Sequence, residues 1–215
     1  MNKAIIGIVG ASGSGKSTSL RNLPKNTAIL DLERKGFPFP STKRFNVHSC
    51  ATTKVFDVTL NTVIEDTSIE VIVIESFTKY CEMILTLAQR AYKGYDVWNF
   101  YNRSIRQLLD KVKNEHAVVI FTAIDEIVRV ATPTGEEYNT RRIKVQGKQH
   151  EGCIEKEFLI VLYTEARKIG DKIDYVFQTN TDGISSAKTP LDMFNKTYIP
   201  NDINTVIETA KKYYE

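Results

Sequence analysis

Apolar residues in this chain follow two different rhythms. Ala4-Ile-Ile-Gly-Ile-Val9, Val71-Ile-Val-Ile74 and Ala117-Val-Val-Ile-Phe121 are unbroken β-favouring runs, which predict strands covered on both faces. Thr27–Leu32 predicts a further strand, and Arg44–His48 a shorter one. Between them the rhythm changes to helical spacing. Val55, Val58 and Val63 predict a helix over Thr52–Asp66, and Phe77–Tyr92 and Asp96–Asn114 predict two more. In the last of these, Trp98, Tyr101, Ile105, Leu108, Leu109 and Val112 share one face. The aromatics there (Trp98, Phe100, Tyr101) read as core rather than as a base-stacking platform. Gly36-Phe-Pro-Phe-Pro40 excludes regular structure.

Strands alternating with helices imply an α/β fold with a mostly parallel, right-handed central sheet flanked by helices. After residue 125 the pattern alternates instead. Ile127-Val-Arg-Val130 and Arg141-Arg-Ile-Lys-Val145, separated by a Pro133–Glu136 turn, predict a late β-hairpin with one dry and one wet face. Strands near Leu159–Thr164 and Ile173–Gln178 and a helix over Asp202–Tyr214 complete the reading. We expect one domain over residues 1–215, with 127–152 as a hairpin insertion.

Composition narrows the class only modestly. The chain is 42% hydrophobic and 26% charged with a net charge of +3, which permits a nucleic-acid partner without requiring one. Three scattered cysteines suggest neither a disulfide framework nor a zinc site. His150 and Cys153 have ligand-like spacing, but no second pair joins them. No apolar run approaches the ~20 residues of a membrane helix, so no membrane partner is expected, and a reducing cytoplasm is the expected location.

The strongest chemical signal follows the first strand. Gly10-Ala11-Ser12-Gly13-Ser14-Gly15-Lys16-Ser17-Thr18 is a G-x-x-x-x-G-K-[ST] phosphate loop between a strand and a short helix over Lys16–Asn22. Glycines let backbone N–H groups crowd round phosphates, and a helix N-terminus supplies further donors. Lys16 is expected to reach the β- and γ-phosphates of ATP, and the Ser17 hydroxyl to ligate Mg²⁺. Two carboxylates fall at predicted strand ends. Glu75 ends the Val71–Ile74 run, where an acid orients the Mg²⁺ shell; otherwise it is a solvated strand end. Glu33 follows the second strand in Asp31-Leu-Glu33, where it can hold a water as general base; otherwise it is a polar residue before a turn.

Together Gly10–Thr18, Asp31-Leu-Glu33 and Val71–Glu75-Ser76 resemble the core of RecA-type ATPases. The late segments Gly147-Lys148, Tyr175–Gln178 and Lys188-Thr-Pro190 are similar to small phage RecA-like ATPases of the AAA-domain type, which include single-strand-annealing recombinases. The resemblance implies that Glu33 is the catalytic base and that Glu75 stands where the family has Asp. It also implies a homo-oligomer acting on single-stranded DNA in phage recombination or replication, in the host cytoplasm if the chain is phage-encoded. Thr122 and Asp125 are the candidates for the family's polar sensor. Candidate DNA contacts are Arg129, Arg141, Arg142, Lys144 and Lys148, with Tyr138 nearby, set against Glu136, Glu137 and Glu151. A charged ribbon that merely resists edge-to-edge pairing explains the same residues. Arg167, Lys168, Lys172 or Lys188 could reach a neighbour's γ-phosphate, and Lys188 fits the family's late region best. The competing reading is a small-molecule kinase, with residues 135–148 as a lid carrying Arg141 and Arg142.

Overall fold

The computed structural model describes residues 4–40, 44–113, 116–131, 133–150 and 152–215. Asn114, which ends the third expected helix, and Glu151 in the expected insertion lie outside them.

The continuous apolar runs become the centre of an eight-stranded sheet. Its parallel part consists of β1 (Ile5–Val9), β2 (Thr27–Asp31), β3 (Asn46–Ser49), β4 (Val71–Glu75), β5 (Val118–Ala123) and β8 (Ile160–Ile169). β9 (Lys172–Gln178) and β10 (Tyr198–Pro200) add antiparallel pairings at one edge. From that edge to the other the order is β10-β9-β8-β1-β5-β4-β2-β3. The sheet is α/β and mostly parallel, as the alternation of patterns implies.

Period-two alternation explains why whole strands are apolar. Ile5, Val9, Ala28, Leu30, Ile72, Ile74, Val119 and Phe121 belong to the core on one face, and Ile6, Ile8, Ile29, Val71, Val73, Val118 and Ile120 to the core on the other. The first face is covered by α1 (Thr53–Glu65), α2 (Phe77–Ala91) and α3 (Tyr95–Val112), the second by α4 (Ile203–Tyr213) and the chain before β2. Thr52, Ser76 and Asp202 cap α1, α2 and α4, each side chain accepting a backbone N–H. Among the described residues no helix is long and apolar enough to cross a membrane.

Three expectations change. The helix after the phosphate loop is a six-residue 3-10 helix, Ser17–Asn22. Pro24 explains its brevity, because a residue before proline is pushed out of the helical region, and Leu23 has ψ 153. The expected hairpin starts earlier, pairing β6 (Asp125–Ala131) with β7 (Glu137–Ile143) in a separate two-stranded ribbon. That ribbon has no dry face, since Ile127 is 67% exposed and Tyr138 48% exposed. Strand β10 is an addition, since its three residues leave too short a pattern to read.

Packing against β5 sets the fold's sensitivity. The ring of Phe121 is fully buried and meets Phe77 and Phe158 edge-on, with centroids 5.4 and 5.6 Å away. Phe121→Ala should therefore cost about 3–5 kcal/mol in denaturant unfolding, and a loss below about 1 kcal/mol would contradict this packing.

Candidate active site

Register brings the sequence motifs to one edge of the sheet. Asp31 lies opposite Glu75, and Val9 opposite Ala123, so the segments after β1, β2, β4 and β5 leave the same carboxyl edge. Open α/β sheets bind their ligands there. Gly10 N–H donates to the Ala123 carbonyl (3.1 Å) and Leu32 N–H to the Glu75 carbonyl (2.6 Å), tying the strand ends together.

The phosphate loop is braced by neighbours from strands far along the chain. The Ser14 hydroxyl bonds to that of Thr164 on β8, which also donates to the Val9 carbonyl at 3.2 Å. A Cβ on Gly10 would strike both, standing 2.6 Å from Ser14 Oγ. Gly15 has φ +101, and a Cβ there would lie 2.7 Å from the Tyr175 ring of β9. Only glycine satisfies both the backbone angle and that close approach. The sequence singles out Tyr175 only through the late-segment resemblance and Thr164 only as a strand end, because the β8–β9 register, not chain proximity, brings them to the loop.

Lys16 and Ser17 point into the same region. Lys16 Nζ donates to the carbonyls of Gly10 and Ala11, both at 2.8 Å. Burial lowers its pKa, offset in part by the charges of Glu75, Asp125 and Glu33. The Ser17 hydroxyl donates to Glu75 Oε1 at 2.7 Å. Glu75 is 3% exposed, and burial raises its pKa against the opposing hydroxyls of Thr122 and Ser17. Among the described residues, Glu75 Oε2 and Thr122 Oγ1 are buried without a hydrogen-bond partner of good geometry. An orphaned carboxylate oxygen beside a phosphate-loop serine fits a hard divalent cation, which takes oxygen ligands. Mg²⁺ therefore suits Ser17 and Glu75.

Glu33 stands at the side of this group. Its carboxylate pairs with Lys35 and interacts with the Ser76 hydroxyl, which also accepts the Lys79 N–H of α2 at 3.2 Å. Burial raises the Glu33 pKa, but Lys35 and Ser76 outweigh it and leave the carboxyl lowered. Glu33, Ser76, Thr78, Lys79, Glu82 and Ile124 line a cavity of about 270 Å³. A wider cavity of about 720 Å³ lies at the opposite edge, by Val71 and Val118, and contains none of these motifs.

The basic candidates are distributed differently from the phosphate-loop residues. Arg129 pairs with Glu137, Arg141 with Asp125 (2.7 Å) and Arg142 with Glu126 (3.0 Å). Strand alternation puts Arg129 and Arg141 on one face of the ribbon and Arg142 on the other, so the basic residues do not form one stripe. Because β6 begins at Asp125, the ribbon segment 125–152 contains as many acidic as basic residues. Lys144 and Lys148 lie beyond β7 and are exposed. Lys188 pairs with Val161, level with Gly7 rather than with the loop, and burial lowers its pKa against the pull of Glu155 and Glu157. Arg167 lies over the Tyr198 ring, 3.7 Å from its centroid.

A phosphate loop at the carboxyl edge of a parallel sheet, with a buried acid against its serine, defines a P-loop nucleotide-binding protein. Residues 2–191 match the family model for an AAA domain, and the chain belongs to that family. It is an AAA-type P-loop ATPase domain. Among curated proteins none matches the chain. A KaiC-like protein from the hyperthermophilic archaeon Pyrococcus horikoshii superposes with a TM-score of 0.49 at 11% identity, covering 93% of this chain and 90% of that one.

The raised pKa of Glu75 has a measurable consequence. The folded state holds the Glu75 proton more tightly than the unfolded chain, so stability falls as pH rises above the ordinary value of 4.5. Glu75→Gln removes that loss. Thermal unfolding of the nucleotide-free protein between pH 4 and 8 should show the variant gaining stability relative to the parent as pH rises. A constant difference across that range would contradict the burial assigned to the carboxylate.

Proposed function

We propose that this domain hydrolyses ATP with Mg²⁺ and couples the hydrolysis to single-stranded DNA, as a homo-oligomer in phage recombination or replication within the host cytoplasm. The observation that carries the ATPase half is the Ser17–Glu75 hydrogen bond beside Lys16. Mg²⁺, when bound, supplies charge neutralisation between the β- and γ-phosphates. Ser17 and Glu75 would hold it. Lys16 neutralises phosphate charge, and the loop's backbone N–H groups orient the phosphates. Glu33, across the site on the neighbouring strand end, orients a water and accepts its proton as that water attacks the terminal phosphorus. The proton then resides on Glu33, and the bond to the ADP oxygen breaks.

Support for the DNA half is of another kind. The β6–β7 ribbon leaves the sheet directly after β5, at the same edge as the phosphate loop, and Tyr138 is exposed on it. Lys144 and Lys148 follow it. The ion-paired Arg129, Arg141 and Arg142 set the ribbon's shape and offer phosphates less charge than their number suggests. The same pairing weighs against a kinase lid, because Arg141 and Arg142 are held along a strand rather than over an acceptor pocket. Lys188 remains the proposed contact to a neighbouring subunit's nucleotide.

Steady-state hydrolysis tests the reading. Lys16→Ala should lower turnover at least about a hundredfold. Glu33→Gln should still bind nucleotide at least as tightly as the parent while lowering turnover on the order of 10²–10⁴-fold; normal turnover with tight binding would remove Glu33 from the mechanism.

The DNA coupling is read separately, from hydrolysis with and without single-stranded DNA and from binding across a salt series. Stimulation is expected, and replacing Lys144 and Lys148 with alanine should flatten the log–log salt slope by about 0.7 for each phosphate that is no longer neutralised. Hydrolysis indifferent to DNA would sink the coupling and leave the ATPase.

A further inference from the structure

The turn after β2 contains a cation that the phosphate-loop motif does not include. Asp31, at the end of β2, accepts the backbone N–H of Arg34 on Oδ1 at 2.7 Å. Arg34 has φ 54, a left-handed conformation that a side-chain-bearing residue adopts at a cost. Such strain persists where surrounding structure enforces it, often at functional sites. Its effect here is to reverse the chain within two residues, so that Lys35 folds back onto the Glu33 carboxylate.

Lys35 is therefore tied to the phosphate loop through contiguous groups. It pairs with Glu33; Glu33 interacts with Ser76; Ser76 follows Glu75; and Glu75 accepts the Ser17 hydroxyl beside Lys16. The charge of Lys35 is felt at Lys16, and those of Glu75 and Asp31 at Lys35. The lysine side chain is 60% exposed while that of Glu33 is 21% exposed, so the ammonium can leave the carboxylate without opening the core. A lysine is a compact charge on a flexible stem, suited to exchanging one anionic partner for another.

We propose that Lys35 senses the terminal phosphate of a bound nucleoside triphosphate, exchanging its ion pair with Glu33 for one with that phosphate. The exchange rests on the assignment of Glu33 as the base and deepens it. Paired with Lys35, Glu33 has its lone pairs engaged and is a poor proton acceptor. Once Lys35 moves to the phosphate, the carboxylate is free to hold the attacking water. A diphosphate, lacking the third phosphate, leaves the pair in place, so the device distinguishes loaded from spent nucleotide.

Equilibrium binding of a non-hydrolysable ATP analogue and of ADP, both with Mg²⁺, tests this independently of turnover. Lys35→Ala should weaken the analogue on the order of tenfold, the scale of one charge-assisted hydrogen bond, and change ADP by less than about twofold. Lys35→Arg should recover most of the preference. Glu33→Gln should tighten the analogue by freeing Lys35, and that gain should vanish when Lys35 is already alanine, a coupling read from a double-mutant cycle. Equal losses for analogue and ADP, or strictly additive effects in the cycle, would overturn the proposal. A parent protein that binds neither nucleotide would overturn the ATPase reading as well, and is recognised before any variant is made. Unchanged thermal unfolding of Lys35→Ala confirms that the turn survives the substitution.

Discussion

The buried contact between Ser17 and Glu75 organises everything at the carboxyl edge. A carboxylate 3% exposed and hydrogen-bonded on one oxygen is an expensive feature to bury, and its second oxygen has no hydrogen-bond partner of good geometry among the described residues. The fold tolerates this because the parallel register fixes Glu75 opposite Asp31 and holds the phosphate loop across β5 from it. Lys16, its charge partly desolvated, leans toward the same place. Charges kept apart from water and from each other's full neutralisation mark a surface prepared for a ligand that carries both signs, as a metal–nucleotide complex does.

Bracing of the loop comes from the far side of the sheet. Thr164 and Tyr175 belong to strands far along the chain from Gly10, yet they set the space in which Gly10 and Gly15 must lack side chains. Phosphate binding thus depends on the late part of the chain. The β8–β9 pair therefore lines the phosphate loop even though it contains no residue of the G-x-x-x-x-G-K-[ST] motif. On the other flank, the Asp31–Arg34 turn shapes the approach to Glu33, so side-chain contacts set the geometry on both sides of the loop.

Much of this is legible in the sequence, and the exceptions have physical causes. The runs at 4–9, 71–74 and 117–121 read as two-faced strands and the glycine spacing at 10–15 as a phosphate loop, so the parallel core and the loop are readable. Glu75 is readable as a strand-end acid, but its burial is not, since Ser17 of the phosphate loop and Thr122 of β5 meet it only in the folded sheet. The ribbon's arginines read as candidate DNA contacts because Asp125 and Glu126 fall just before the apparent start of the pattern. Their pairing with Arg141 and Arg142 is a property of antiparallel register, which local alternation does not reveal. Lys35 escapes notice for a related reason, being an ordinary charged residue until the left-handed Arg34 turns it back on Glu33.

The central claim is that Glu75 and Ser17 form one half of a metal–nucleotide site whose other half is the phosphate loop. Titration calorimetry with a non-hydrolysable ATP analogue, with and without Mg²⁺, addresses it directly in the parent protein and in Glu75→Gln. The account predicts that Mg²⁺ strengthens binding in the parent and that this gain shrinks by on the order of tenfold in the variant, while metal-free affinity is retained or improved. An identical Mg²⁺ gain in both proteins would contradict it.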